Sequence, residues 1–228
     1  MEKLKLNKKI KLLIACDGGA ASGKTTGAKL ISKKYGLKFL SSGMLYRLAS
    51  YQLLKYKPKN KILFLKKVFS NLNLNKLNNI SLYSAKVSEN TSIIAKEKKI
   101  RLILKSFQKR FTNKFNKVCI EGRDIGTVIL PKADIKFFFK CDLDAAAKRR
   151  FKELKKTKSG ISLSNVKQSL KIRNYRDISR KNSPLLKSPD AIIVDTGKIR
   201  NIPGMISKMS EIVERKLLLK YGRNFKAK

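Results

Sequence analysis

Leu12-Leu13-Ile14-Ala15-Cys16-Asp17-Gly18-Gly19-Ala20-Ala21-Ser22-Gly23-Lys24-Thr25-Thr26 is the stretch that decides the fold. It runs from an apolar segment into G-x-x-x-x-G-K-[ST], and a helix-patterned segment follows over residues 26–35. Strand, glycine-rich loop and helix in that order are the context a phosphate-binding P-loop requires. The glycines let backbone N–H groups turn toward phosphate oxygens. The helix that starts there adds its positive dipole end. Lys24 supplies a mobile charge for β- and γ-phosphates. The phosphate-binding candidates are therefore Gly18, Gly19, Ala20, Ala21, Ser22, Gly23, Lys24, Thr25 and Thr26. The Thr25 hydroxyl is available to a metal ion. Asp17 either caps the loop or helps to position Mg²⁺ through water, and the capping role is favoured.

Working outward, strand and helix signals alternate. Strands are expected over residues 10–16, 38–40, 118–121, 135–141 and 191–195. Helices are expected over residues 24–35, 44–56, 59–69, 88–112, 142–155, 165–180 and 203–220, with Gly36 closing the first, Pro58 breaking the second and Asp142 as an N-cap. Residues 71–84, rich in Asn and Leu, read as a possible small hairpin. The alternation predicts an α/β fold with a parallel sheet in a single domain spanning residues 1–228.

The 228 residues carry 55 Lys and Arg against 15 Asp and Glu, a formal charge of +40. Such a field attracts polyanions. Lysine is spread through ordinary helix faces such as Lys96-Glu97-Lys98-Lys99, which reads as surface-wide enrichment, not as the focused footprint of a nucleic-acid binder. There is no histidine, which excludes a Ser-His-Asp triad and histidine general-base chemistry. Cys16, Cys119 and Cys141 are odd in number, form no C-x-x-C pair and read as buried reduced thiols. No apolar run approaches the ~20 residues of a membrane span, so a soluble cytoplasmic monomer is expected, with no membrane and no specific nucleic-acid partner.

Three more blocks stand downstream: Ser41-Ser42-Gly43-Met44-Leu45-Tyr46-Arg47; Gly122-Arg123-Asp124-Ile125-Gly126-Thr127-Val128; and Arg173-Asn174-Tyr175-Arg176-Asp177-Ile178-Ser179-Arg180. In the last, helical spacing places Arg173, Asp177 and Arg180 on one face. Read alone, that face is as consistent with a solvated salt-bridge ladder. Ser92 alone reads as a surface hydroxyl and Tyr46 equally well as core packing.

Together and in this order, the P-loop and these blocks resemble the bacterial cytidylate kinase family, over about residues 13–195. The resemblance implies a nucleoside monophosphate kinase fold: a five-stranded parallel sheet flanked by helices, a CMP-binding insertion, here reduced and placed at residues 57–90, and a lid at residues 150–165. It implies ATP and Mg²⁺ as cofactors, CMP and dCMP as substrates, and γ-phosphoryl transfer from one to the other. Ser42, Tyr46, Arg47, Ser92, Arg101, Arg123, Asp124, Arg173, Asp177 and Arg180 match substrate-binding positions. Arg47 and Arg123 match those that grip the CMP phosphate, Ser92 and Arg101 those that read cytosine, and Asp124 one close to the base. Asp177 is expected to accept from a sugar hydroxyl. Lys24, Arg123, Arg176 and Arg180 are the catalytic candidates. Ser41 stands where the family has Asp, and Gly19 where it has Pro.

The residue types suit this chemistry. Phosphoryl transfer needs positioning and charge neutralisation, and an ionised phosphate acceptor needs no general base. Arg149 and Arg150 at the base of the lid are expected to swing toward the phosphates. The alternatives are a kinase for another monophosphate, such as UMP or AMP, and a basic P-loop protein that binds RNA.

Overall fold

The computed structural model describes residues 3–74, 82–156, 160–199 and 201–226. Among them a five-stranded parallel sheet is built from β1 (Leu12–Gly18), β2 (Lys38–Ser41), β3 (Lys117–Gly122), β4 (Ile135–Lys140) and β5 (Ile192–Asp195), in the order β2-β3-β1-β4-β5. β1 lies at the centre, paired in parallel with β3 from Leu12↔Lys117 and with β4 as far as Gly18↔Phe139. Its near-continuous apolar sequence is what a strand covered on both faces needs.

The chain divides into two compact units, one holding residues 1–40, 115–179 and 183–228, the other residues 41–114 and 180–182. In the first, α1 (Lys24–Tyr35) packs with α8 (Ile202–Tyr221). Ile14, Ile31, Phe137, Phe139, Met209 and Val213 join them to the sheet in one apolar core. Gly36 ends α1 in the left-handed conformation, φ 64°, its N–H returning to Ser32 O. A smaller core forms where α6 (Leu143–Lys155) meets α7 (Leu163–Ser179), and Ala20 of the P-loop is buried in it with Ala146, Ala147, Val166 and Leu170. Asp142 is the N-cap of α6, accepting from Ala145 N at 2.7 Å, as its position ahead of the helix predicts.

The second unit contains α2 (Ser42–Tyr56), α3 (Lys61–Ser70), α4 (Ala85–Ile94) and α5 (Lys98–Lys114). α2 packs on α4 and α5, and α3 on α5. α2 stops at Lys57, φ 41°, with Pro58 next. The single helix expected over residues 88–112 is two helices. The N–H groups of Ala95, Lys96 and Glu97 still point back to Thr91, Ile93 and Ile94, after which Glu97 O accepts from Arg101 N and a new helix starts. No Gly or Pro marks that break, so the sequence pattern ran through it. The hairpin expected within residues 71–84 and the centre of the expected lid fall partly on residues 75–81 and 157–159, outside the described residues. At the far end of the lid segment, Ser162 Oγ accepts from Asn165 N at 3.1 Å, ahead of the first turn of α7.

Cys16 and Cys119 are buried, as expected, with Sγ atoms 3.8 Å apart and no disulfide. Burial, reinforced by Cys119, raises the Cys16 thiol well above its usual range. Cys141 departs from the expectation and is only half-buried: β4 ends at Lys140, and Cys141 lies just past the strand's end beside Arg149, 3.5 Å away.

Candidate active site

The P-loop is shaped by what its glycines must approach. Gly18, φ 155°, leaves β1 so close to β4 that a Cβ would lie 2.5 Å from Phe139 O. Gly23, φ 80°, is the residue before α1 and sits in the left-handed region against Thr196. Within α1, the N–H of Gly27 returns to Gly23 O, whereas those of the first helical residues have no carbonyl a turn earlier. A positive helix end is thereby presented next to Lys24.

Lys24 is 6% exposed. Its Nζ donates to Gly19 O at 3.2 Å and lies 3.8 Å from Glu121 Oε2 at the end of β3. Burial, and then the nearby Arg123 guanidinium, lower its pKa to about 7, with Glu121 opposing the shift. A buried cation beside Arg123 and Arg173, only partly offset by Glu121 and Asp177, is short of negative charge, which is the deficit a polyphosphate fills.

Asp17, the penultimate residue of β1, sits where the chain leaves β3. One carboxylate oxygen accepts from Ile125 N at 2.8 Å and the other from Gly126 N at 2.7 Å. It therefore braces a five-residue π-helical turn, Ile125–Ile129, which follows Asp124. Burial lifts its pKa to about 6, and the two amides pull the other way. The cap was expected on the P-loop that follows β1, whereas both oxygens are given to the turn after β3. Asp124, 3% exposed, gives its carbonyl to Val128 N and Ile129 N. Arg123 Nε donates to Asp177 Oδ2 at 2.7 Å.

α7 brings Asp177 there by periodicity. Val166 and Leu170 are buried, and Arg173, Asn174 and Asp177 continue the same stripe as half-buried polar groups. The inward face thus changes from apolar to polar along the helix. Arg176 is exposed on a different face. Arg180 lies one residue past the end of α7, so the single helical face expected to hold Arg173, Asp177 and Arg180 stops at Asp177.

In the second unit, Ser41 caps α2, its Oγ accepting from Met44 N at 3.2 Å, and the neighbouring Ser42 is buried. Arg47 is 8% exposed; one nitrogen donates to Leu82 O at 3.1 Å and to Ser88 Oγ at 2.7 Å, and its guanidinium lies 4.9 Å from the Tyr83 ring. Arg101, equally buried, donates to Ala95 O at 3.1 Å and stacks 5.5 Å from the ring of Tyr46. Tyr46 is thus both core and the platform for a cation. Ser92, half-buried on α4, donates to Glu89 O at 2.8 Å.

Three residues at the P-loop escaped the sequence reading. Glu121 closes the strand expected over residues 118–121 and adjoins the Gly122–Val128 block, with no role expected of it. Asn174 accepts from Ala20 N at 2.9 Å. Thr196 donates to Ser22 O at 3.0 Å while Arg149 donates to Thr196, to Oγ1 at 2.9 Å and to O at 2.6 Å. Arg149 is therefore anchored behind the loop, and Arg150 pairs with Glu153 at 2.9 Å, in place of the free arginines expected at the lid base. The four-residue step from Leu170 to Asn174 was the signal available for Asn174. Thr196 lies beyond the last strand in a segment with no local mark.

A parallel sheet with a P-loop after its central strand, and cations gathered at the loop, define a P-loop phosphotransferase that uses nucleotide. The family model for cytidylate kinase matches residues 14–215. A cytidylate kinase of Clostridium tetani is 34% identical over 94% of this chain and 99% of its own length. One of Fusobacterium nucleatum is 36% identical over 89% and 99%. Among solved structures, TT1252 from Thermus thermophilus superposes with a TM-score of 0.52 at 14% identity, covering 92% of this chain and 99% of its own, a likeness of fold. The chain belongs to the cytidylate kinase family. Neither of the alternatives, a kinase for another monophosphate or an RNA-binding protein, is favoured by these matches. Among the described residues, no helix is long and apolar enough to cross a membrane.

Proposed function

We propose that this chain transfers the γ-phosphoryl group of ATP to CMP or dCMP, releasing ADP and CDP or dCDP. The observation that carries the reading is Lys24. It is buried at the start of α1, its charge opposed by burial and by Arg123 and only partly answered by Glu121. A γ-phosphate brought beside it restores the missing negative charge.

In the transfer, an ionised oxygen of the acceptor monophosphate forms a bond to the γ-phosphorus, and the bond from that phosphorus to the β–γ bridging oxygen breaks. Charge spreads over the γ-phosphoryl oxygens and collects on the ADP side. Lys24 and Arg123 answer it electrostatically, with no proton to remove. Arg173, Arg176 and Arg180 are the further cations proposed for this charge. Arg47 binds the monophosphate through its planar fork. Ser92 and Arg101 read the cytosine ring, with Asp124 accepting from the exocyclic amine and repelling a carbonyl at the same place. Ser42 and Tyr46 are the further substrate-binding residues proposed, and Asp177 serves a sugar hydroxyl.

Mg²⁺, when bound with ATP, neutralises the β- and γ-oxygens. The residues present fit it. The Thr25 hydroxyl is half-buried and has no hydrogen-bond partner among the described residues. No cluster of three or more acidic or cysteine side chains forms a metal cage among those residues, and Mg²⁺ commonly takes phosphate and water as most of its ligands. Asp17 already gives both oxygens to the amides of Ile125 and Gly126, so it would reach the ion only through water.

The direct test is ADP formation from ATP and Mg²⁺ with CMP or dCMP, run beside Lys24→Ala. Turnover with the natural chain and its loss in the variant are expected. Retained turnover in Lys24→Ala would remove Lys24 from the mechanism.

A further inference from the structure

Lys24 and Asn174 hold the same short piece of the P-loop from two directions. Lys24 Nζ takes the carbonyl of Gly19 at 3.2 Å, and Asn174 Oδ1 takes the next N–H, that of Ala20, at 2.9 Å. The Asn174 amide lies against Gly19 so closely that a Cβ there would meet Oδ1 at 3.3 Å and Nδ2 at 3.5 Å. Its neighbour on the same helical stripe, Asp177, receives Arg123. The other half of the loop is held separately, through Thr196 on Ser22. α7 is thus tied to the first half of the P-loop by Asn174, and to the turn that follows β3 by Asp177.

We propose that Asn174 is a positioning residue that fixes the Gly19–Ala20 segment for nucleotide binding and holds it in register with the arginines on and around α7. The inference rests on the reading of the P-loop as the ATP site. The Lys24 contact to Gly19 O is one that Lys24 must weaken when it turns to a phosphate, because its charge then has a stronger partner. Asn174 makes no such exchange. Its bond to Ala20 N keeps the segment in place while Lys24 moves. Without it, the amides on either side of Ala21 lose their reference to α7, and misplacement on the scale of an ångström costs phosphoryl transfer heavily.

The test compares Asn174→Leu, similar in volume but without an acceptor, Asn174→Asp, which keeps an oxygen at Oδ1, and Gly19→Ala, whose added Cβ pushes the amide from its seat. Mg·ADP affinity, KM for ATP, kcat and thermal midpoint are measured for each and for the double variant Gly19→Ala/Asn174→Ala, whose shortened side chain leaves room for the new Cβ. About tenfold weaker ADP binding and a raised KM for ATP are expected in Asn174→Leu, corresponding to one lost hydrogen bond. Substantial recovery is expected in Asn174→Asp. The double variant should be no worse than Gly19→Ala alone, since both changes remove the same contact. Natural ADP affinity in Asn174→Leu would overturn the inference. So would losses that multiply in the double variant, or losses that simply track a falling thermal midpoint across the series. Activity of the natural chain, run alongside, separates these outcomes: its absence would count against the ATP reading, while the ratio of ADP affinities still decides the role of Asn174.

Discussion

Arg123 Nε and Asp177 Oδ2 lie 2.7 Å apart, an ion pair between residues 54 positions apart in sequence, with side chains only 13% and 16% exposed. It joins the turn after β3 to α7 and sets the direction in which the rest of the guanidinium faces. Replacing Asp177 by Ala leaves that charge half-buried without this partner. A loss of about 1–3 kcal/mol in stability is expected, read from denaturant unfolding. Asp177→Asn, which keeps an oxygen for Nε, should lose clearly less. Equal losses in the two variants would assign the whole contribution to the carboxylate charge and none to the hydrogen bond.

Removing Arg123 itself tests the catalytic half of the pair. A donor that meets charge developing in the transition state is worth about 10²–10³ in kcat. Arg123→Lys should fall into that range because an ammonium cannot hold Asp177 and a phosphate in the planar geometry of the fork. A kcat within threefold of natural would take Arg123 out of the transfer step.

The lowered pKa of Lys24, about 7, has a sign that can be checked. Between about pH 7 and the ordinary lysine value the folded chain binds fewer protons than the unfolded chain. Stability from this group therefore rises with pH through that window. Nucleotide binding runs the other way. A phosphate beside Lys24 restores the charged form, so ATP binding above pH 7 takes up a proton and weakens as pH climbs. Titration calorimetry at pH 8 in two buffers of different ionisation enthalpy should show different apparent heats, equivalent to uptake approaching one proton. Identical heats would place Lys24 fully charged in the free protein.

Asp17→Asn keeps one acceptor oxygen but offers an NH₂ where the other amide must be met. A loss of about 1–3 kcal/mol is expected from the unpaired buried N–H, together with lower kcat, because Arg123 and Asp124 stand immediately before the braced turn. Thermal unfolding of the variant would measure the first. An unchanged midpoint would mean that the π-helical turn holds itself.

Much of the fold could be read in the chain because its signals are local. The P-loop fixes strand, loop and helix in one stretch, Gly36 and Asp142 mark helix ends, and the apolar run of β1 marks a central strand. The exchange of one helix for α4 and α5 was not visible, since apolar spacing continues from Ile93 and Ile94 through Ile100 and no helix-breaking residue stands between. Within the site, Lys24 stands out in the P-loop pattern, and Arg123 and Asp177 in the blocks that carry the family resemblance. Glu121, Asn174 and Thr196 do not stand out, because each acts on the P-loop only after a strand or helix from far along the chain is laid beside it. Arg149 was read as a mobile cation on charge alone, and its anchoring depends on Thr196, 47 residues on.

The most direct measurement is ADP release from ATP and Mg²⁺ with CMP, dCMP, UMP, AMP and GMP offered singly. Strong turnover with CMP and dCMP, and little with the other three, is the expected result. Turnover led by UMP, AMP or GMP, or by none of the five, would contradict the assignment of this chain as a kinase of cytidine monophosphates.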